Sequence, residues 1–405
     1  MLVALLLAYL RVSAAAPAAL GVGGCMADVN CSLNGLCTAG ACRCDAPWSG
    51  ARCETMNFEP VTFPQGYGQV PALQADANAS WGGNILVGSG AGPNYHMYLN
   101  VMALQCPLGT WTRNSRIDHV VSESVTGPYR FKDTAVGAWA SNPAPLSLPR
   151  GSEYAYAMFH IGNGSWSHGH PPQNCTPPAA AGGWLLPSFQ EAALDSNEIS
   201  VAHSLDGPWL TLPGNTLPSP CNNPAPWVHP NGTLFALCAE VIYRADVIQG
   251  PWRRVSSIWN PQATRESGKS LGWRYEDPFL YTTKRGWHVL FHSMIRDNST
   301  NAGHNCTNSV VSSHMFSVDG YNWRASDVSP YSSQVEVKTA DGTTHFVTVA
   351  TRERPKLLFS PSGEMTHLVN GVCAAPSCTD SPKTGCMDCK YTHPDYTLVA
   401  PLKIM

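Results

Sequence analysis

Four acidic residues and two amides stand where they could share one pocket. Asp277 lies in Glu276-Asp277-Pro278 and Glu353 in Glu353-Arg354-Pro355. Amides fill the matching places in Asn142-Pro143 and Asn223-Pro224, and Glu240 ends the apolar run that follows Asn223. Two carboxyls gathered in a site largely free of water are pushed to different pKa values. One can then stay protonated and donate while the other is ionised and accepts, which is what general acid–base chemistry needs. An amide can hydrogen-bond a hydroxyl but cannot take a proton at neutral pH. Each acid also has a structural reading: Asp before proline is a common turn former, and Glu353 has Arg352 and Arg354 beside it as ion-pair partners.

These dipeptides open a recurring phrase of polar opener, apolar strand, turn and second strand. Copies run over 142–160, 223–238, 276–291 and 353–369, and a degenerate first copy over 81–98 opens with Trp81-Gly-Gly-Asn84. A strand–turn–strand unit recurring every roughly 50 to 80 residues predicts a β-propeller rather than a helical solenoid. A second phrase recurs as Thr126-Gly-Pro-Tyr129, Asp206-Gly-Pro-Trp209, Gln249-Gly-Pro-Trp252 and Asp319-Gly-Tyr-Asn-Trp323. It reads as the turn between the outer strands of a blade. The expected fold is therefore all-β, a five-bladed propeller over 81–405, with the openers converging on one central channel. A Ser/Gly/Pro/Ala-rich stretch, 162–195, interrupts blade two as a long loop, and Tyr396–Leu402 offers a strand to close the ring.

A net charge of −3 with scattered basic residues excludes an electrostatic footprint for nucleic acid or a membrane surface. Met1–Leu10 is an apolar run followed by Arg11 and Ala14-Ala15-Ala16, so residues 1–20 read as a signal peptide. The run is too short to span a bilayer, which takes roughly 20 residues, and no other segment is long enough. Fifteen cysteines and sequons at Asn30, Asn78, Asn163, Asn174, Asn231, Asn298 and Asn305 fit a secreted, disulfide-bonded glycoprotein.

Six of the cysteines crowd into 25–53 with the spacing C-x5-C-x5-C-x4-C-x-C-x8-C, ending Cys42-Arg-Cys44-Asp-Ala-Pro-Trp-Ser-Gly-Ala-Arg-Cys53. Six cysteines allow 15 connectivities on sequence alone. The segment resembles an EGF-like module, and the resemblance implies Cys25–Cys37, Cys31–Cys42 and Cys44–Cys53. So short a segment needs such cross-links to fold. It reads as a spacer or as a site for an extracellular protein partner, and 57–76 reads as a linker. Cys373, Cys378, Cys386 and Cys389 could ligate zinc, but disulfides suit an oxidising compartment better. His168 and His170 sit in a Gly/Pro loop, and His96, His160, His288 and His367 fall on second strands as core residues. The nine cysteines outside the module are odd in number, which predicts one free or intermolecularly paired.

The openers resemble those of the five-bladed propeller glycoside hydrolases, the family 43-like clan of arabinanases, β-xylosidases, invertases and levansucrases. The resemblance implies a carboxylate trio in the channel, with Asp277 orienting and tuning and Glu353 as the acid. Trp81, Asn84, Asn142, Asn223, Glu276 and Arg354 would then contact a glycan. Glycosidic cleavage pairs a protonated with an ionised carboxyl, about 5–5.5 Å apart for retention and 6.5–9.5 Å for inversion. The chain departs from this pattern at Asn84, Asn142 and Asn223, where the base or nucleophile is expected; Glu240 or Glu276 could substitute. No cofactor is read from the motifs, although some relatives hold calcium in the channel. Two functions stay open: a secreted propeller that binds or hydrolyses a glycan, and a non-catalytic recognition protein with a decayed site.

Overall fold

The computed structural model of the chain describes residues 24–62, 65–68, 79–90, 92–106, 108–165, 197–214, 217–218, 221, 223–258, 275–293, 312–349, 351–373 and 395–404. The signal-peptide reading, His168, His170 and Cys175, Cys306, Cys378, Cys386 and Cys389 lie outside the described residues.

Five four-stranded antiparallel sheets follow one another along the chain. Blade one is Ser80–Val87, Tyr95–Met102, Ser115–Ser122 and Arg130–Val136, and blade two is Ser141–Ser147, Tyr156–Ile161, Asn197–Ala202 and Leu210–Thr211. Blade three is Ala225–Val228, Leu234–Cys238, Val241–Ala245 and Arg253–Ser257, and blade four is Tyr275–Thr283, Gly286–Ser293, Ser312–Ser317 and Arg324–Ala325. Blade five is Thr351–Phe359, Met365–Cys373 and Asp395–Pro401, completed by Tyr67–Gly68. The five innermost strands touch in cyclic order, blade five meeting blade one. The repeat thus folds as a β-propeller.

The strand sequences follow from this packing. Middle strands are pressed between neighbouring blades, so Tyr95–Met102 and Ser312–Ser317 are buried almost throughout and lose the alternation of a half-exposed strand. The outermost strand Arg130–Val136 faces water and is mostly polar. The core lies between blades: Phe159 of blade two meets the edge of Trp252 of blade three at 5.6 Å. Leu237 and Ile242 of blade three likewise pack with Leu280, Val289 and Phe291 of blade four. The Gly-Pro-aromatic phrases join third to fourth strands as expected, with Gly127, Gly207 and Gly250 at φ 92°, 78° and 84°.

Two segments differ from their sequence reading. The expected linker 57–76 contributes Tyr67–Gly68 as the outermost strand of blade five, paired with Tyr396 and Thr397. Asp395–Pro401 is therefore the third strand of that blade, and the ring is closed by chain from upstream of blade one. Val61–Thr62, also within that linker, runs parallel to Gln334–Lys338 in a small sheet with Thr344–Thr348. Neither short strand carries a pattern long enough to register as periodicity.

The cysteine module has the implied pairing, Cys25–Cys37, Cys31–Cys42 and Cys44–Cys53. It does not stand off as a spacer. Trp48, 1% exposed, lies 5.2 Å from the His314 ring of blade four. Cys31 and Met56 share a cluster with Phe279, Tyr281, Leu290 and Leu357 of blades four and five. Arg285, at the hairpin tip of blade four, reaches Asp28 at 3.7 Å and Asp45 at 2.5 Å. Elsewhere Cys221 pairs with Cys238, Cys106 and Cys373 are also disulfide-bonded, and no described cysteine is free.

Candidate functional site

The innermost strands of blades one, two, four and five each break register near their start, between Trp81 and Gly83, Ser141 and Ala144, Glu276 and Phe279, and Glu353 and Lys356. At each break one residue takes a left-handed conformation: Gly82 at φ 65°, Asn142 at 58°, Asp277 at 53° and Arg354 at 53°. A bulge of this kind re-aims one side chain out of the strand's alternation. Here it aims the opener into the channel. Asn223-Pro224 serves blade three just ahead of its first strand, so one opener from every blade lines the pocket. Three non-glycine residues held in this region, each before proline, mark a strained and purposeful backbone.

Two polar groupings face each other there. On the side of blades two and three, Asn142 Nδ2 donates to Asn223 Oδ1. The Asn142 backbone N–H is held by buried Asn100 Oδ1 at 2.9 Å. On the side of blades four and five, Asp277, 6% exposed, has Arg354 Nε 3.5 Å from Oδ1 and His292 Nδ1 3.9 Å from Oδ2. The opposite nitrogen of His292, Nε2, lies 3.5 Å from Glu353 Oε1. A Cβ on Gly82 would fall 2.9 Å from Arg354 Cβ. The first opener is glycine because the arginine stem occupies that space.

Buried Lys356 also lines the pocket. It donates to the Pro278 carbonyl at 3.0 Å. Burial pushes its ammonium down to about 8, partly offset by Asp277 and reinforced by Arg354. Arg352 points away, between the Phe58 and Tyr331 rings at 4.8 and 4.6 Å, and burial lowers it to about 10.

The bulges set the correspondence between blades. Arg354 is the counterpart of Asp277, as their shared place before proline in the sequence predicts, and Glu353 matches Glu276, one residue earlier. Trp81 lines the pocket but is 3% exposed and packs with Met102 and Leu108, so it is wall rather than an open stacking face. Asn84 is not among the lining residues; its Nδ2 ties blade one to the Pro145 carbonyl of blade two at 3.1 Å. Glu240 accepts from Ile258 N and Ser257 Oγ through its backbone carbonyl and also lies outside the lining.

Glu276 is exposed, and one oxygen each of Glu276 and Asp277 lies within 4.8 Å of the other and of a His292 nitrogen. Glu276, Asp277 and His292 are therefore a group that could hold a divalent cation; of the three only Asp277 lines the pocket, and Glu353 is not among its lining residues either. Glu353, Asp277 and Glu276 around one imidazole can move a proton. The Asn142–Asn223 face can only hydrogen-bond. Sequence reasoning missed His292 and Lys356. The register Glu276↔His292 places the histidine, and that pairing exists only once the hairpin is folded.

Residues 27–56 match the family model described as a Teneurin-like EGF domain. No curated protein matches. Among solved structures, the chain is similar to the catalytic domain of a family 62 α-L-arabinofuranosidase from Coprinopsis cinerea, at 10% identity and TM-score 0.49, covering 86% of this chain and 98% of that one. It is also similar to a thermostable family-43 glycoside hydrolase, at 11% identity and TM-score 0.48 over 85% and 93% of the two chains. A family 117 glycoside hydrolase from Zobellia galactanivorans gives 14% identity and TM-score 0.47 over 86% and 90%. This chain joins an EGF-like module to a β-propeller.

Proposed function

We propose that the chain is an extracellular glycan-recognition propeller of glycoside hydrolase type, with the central pocket as its binding site. The observation that carries this reading is the convergence of one opener per blade: amides from blades two and three opposite a carboxylate and a guanidinium from blades four and five. Paired donors and acceptors fixed by rigid backbone suit a polyhydroxylated ligand. The disulfides of the module, Cys221–Cys238 and the bonded Cys106 and Cys373 support an oxidising compartment. Asn223→Ala, which leaves the bulges untouched, should weaken binding to the recognised oligosaccharide about ten-fold, the worth of one to two hydrogen bonds. Titration calorimetry against arabinan, xylan and fructan oligosaccharides checks it, and equal affinity for wild type and variant sinks the assignment.

The gathering of Glu276, Asp277 and Glu353 around His292 favours hydrolysis as a second reading, with Glu353 as proton donor. Reducing-sugar release from the same polymers tests it. Release that disappears in Glu353→Gln supports the donor, while binding without any release leaves recognition as the function.

A further inference from the structure

We propose that the seam between blades one and two binds one divalent transition-metal ion of the zinc type through His96 Nδ1, His119 Nε2 and the Asp206 carboxylate. This site is separate from the channel and independent of the glycan reading. His96 and His119 sit on the second and third strands of blade one, and Asp206 sits in the Gly-Pro-Trp turn of blade two. One ligand atom of each lies within 4.8 Å of the others. Three features point to a ligand. His96 Nδ1 and His119 Nε2 face each other at 2.8 Å. His96 also has the Pro93 backbone beside it, and His119 Nδ1, buried and making no hydrogen bond, lies 3.4 Å from Asp133 Oδ1. The two facing ring nitrogens share one hydrogen bond, and an ion seated between the rings would take the place of the shared proton. The Asp133 carboxylate behind His119 is placed as the outer partner that orients a metal-bound imidazole.

The turn carrying Asp206 is fixed to blade one. Tyr98 stacks on His119 at 4.8 Å, and its hydroxyl donates to the Leu205 carbonyl. Two nitrogens at about 2.1 Å from one ion would sit roughly 3.0–3.4 Å apart, a few tenths wider than observed. Imidazole with a single carboxylate selects zinc-like ions over calcium. Asp206 is exposed and leaves a fourth position for water. Lys132 Nζ also bonds Asp206, so seating the ion draws the carboxylate from the lysine towards the rings. Blade four repeats the histidine pair, His288 Nδ1 to His314 Nε2 at 3.1 Å. No carboxylate completes a site there among the described residues, and Trp48 packs on it instead.

The test is thermal unfolding of the full secreted chain, stripped with EDTA and titrated with zinc chloride. Wild type should gain midpoint temperature with rising free zinc. Asp206→Asn and His119→Gln should need at least ten-fold more zinc for the same shift, Lys132→Gln should need less, and His288→Gln should respond as wild type. Asp206 is exposed, so its variant reports even if His119→Gln fails to fold. A wild type with no zinc-dependent shift, or an Asp206→Asn response equal to wild type, overturns the site.

Discussion

Arg354 and Asp277 hold the charged half of the pocket together, and each side chain's position follows from a left-handed backbone residue. Asp277→Asn keeps a residue that tolerates this conformation but leaves the largely buried Arg354 without its carboxylate. The pair is not fully dry, so a loss of about 1–3 kcal/mol is expected, read as a lower urea midpoint with unchanged slope. Gly82→Ala should cost a similar amount by a different route. It places a methyl 2.9 Å from Arg354 Cβ at φ 65° and should also weaken glycan binding by displacing the guanidinium. Stability equal to wild type in Gly82→Ala would show that the arginine stem moves freely. The opener residues were legible because proline and asparagine mark such turns in sequence. So was the match of Arg354 to Asp277, each directly before proline; His292 was not, because only the folded hairpin brings it beside Asp277 and Glu353.

Ring closure and module docking are decided by single elements. Tyr67–Gly68 covers the free edge of blade five, and an uncovered edge is a template for aggregation. Gly66 approaches so closely that a Cβ there would fall 1.9 Å from the Thr397 carbonyl oxygen, at φ 99°. Gly66→Ala should therefore detach the closing strand. Hydrogen exchange should rise at Tyr396 and Thr397 while blade three stays protected; unchanged exchange in blade five would show the strand is not held by this contact. At the module, Trp48→Ala removes a fully buried ring and should cost about 3–5 kcal/mol, with proteolysis releasing residues 24–56 as a first event. The blades were readable because their inner strands repeat an apolar phrase after a turn residue. The closing strand was not, because two residues carry no period and their partner lies more than three hundred positions away.

Taken as a whole, the propeller stores an acid sensitivity in histidines that its blades bury neutral. Burial drives His160 and His367 down to about 4 and His314 to about 3, and pushes His288 well below the ordinary value, helped by His314 and Arg285. A histidine with a depressed folded pKa binds fewer protons folded than unfolded. Its stabilisation is complete above the unfolded value near 6.5 and is lost as pH falls towards the folded value. Each such group contributes a slope of up to about 1.4 kcal/mol per pH unit in that window, so several together should make unfolding steeply easier between pH 6.5 and 4. Asp118 and Glu198, raised by burial, work in the opposite sense but are fewer. His160 isolates one contribution: it is fully buried, bonded to the Gly162 carbonyl at 2.9 Å and to Ser200 Oγ at 2.8 Å, and belongs to neither candidate cation site. In EDTA, His160→Gln should flatten the fall in unfolding free energy by about 1 kcal/mol per unit over this window. Wild-type and variant curves that stay parallel from pH 6.5 to 4 would mean the unfolded chain protonates no more readily than the fold, and the acid sensitivity would have to come from the carboxylates instead.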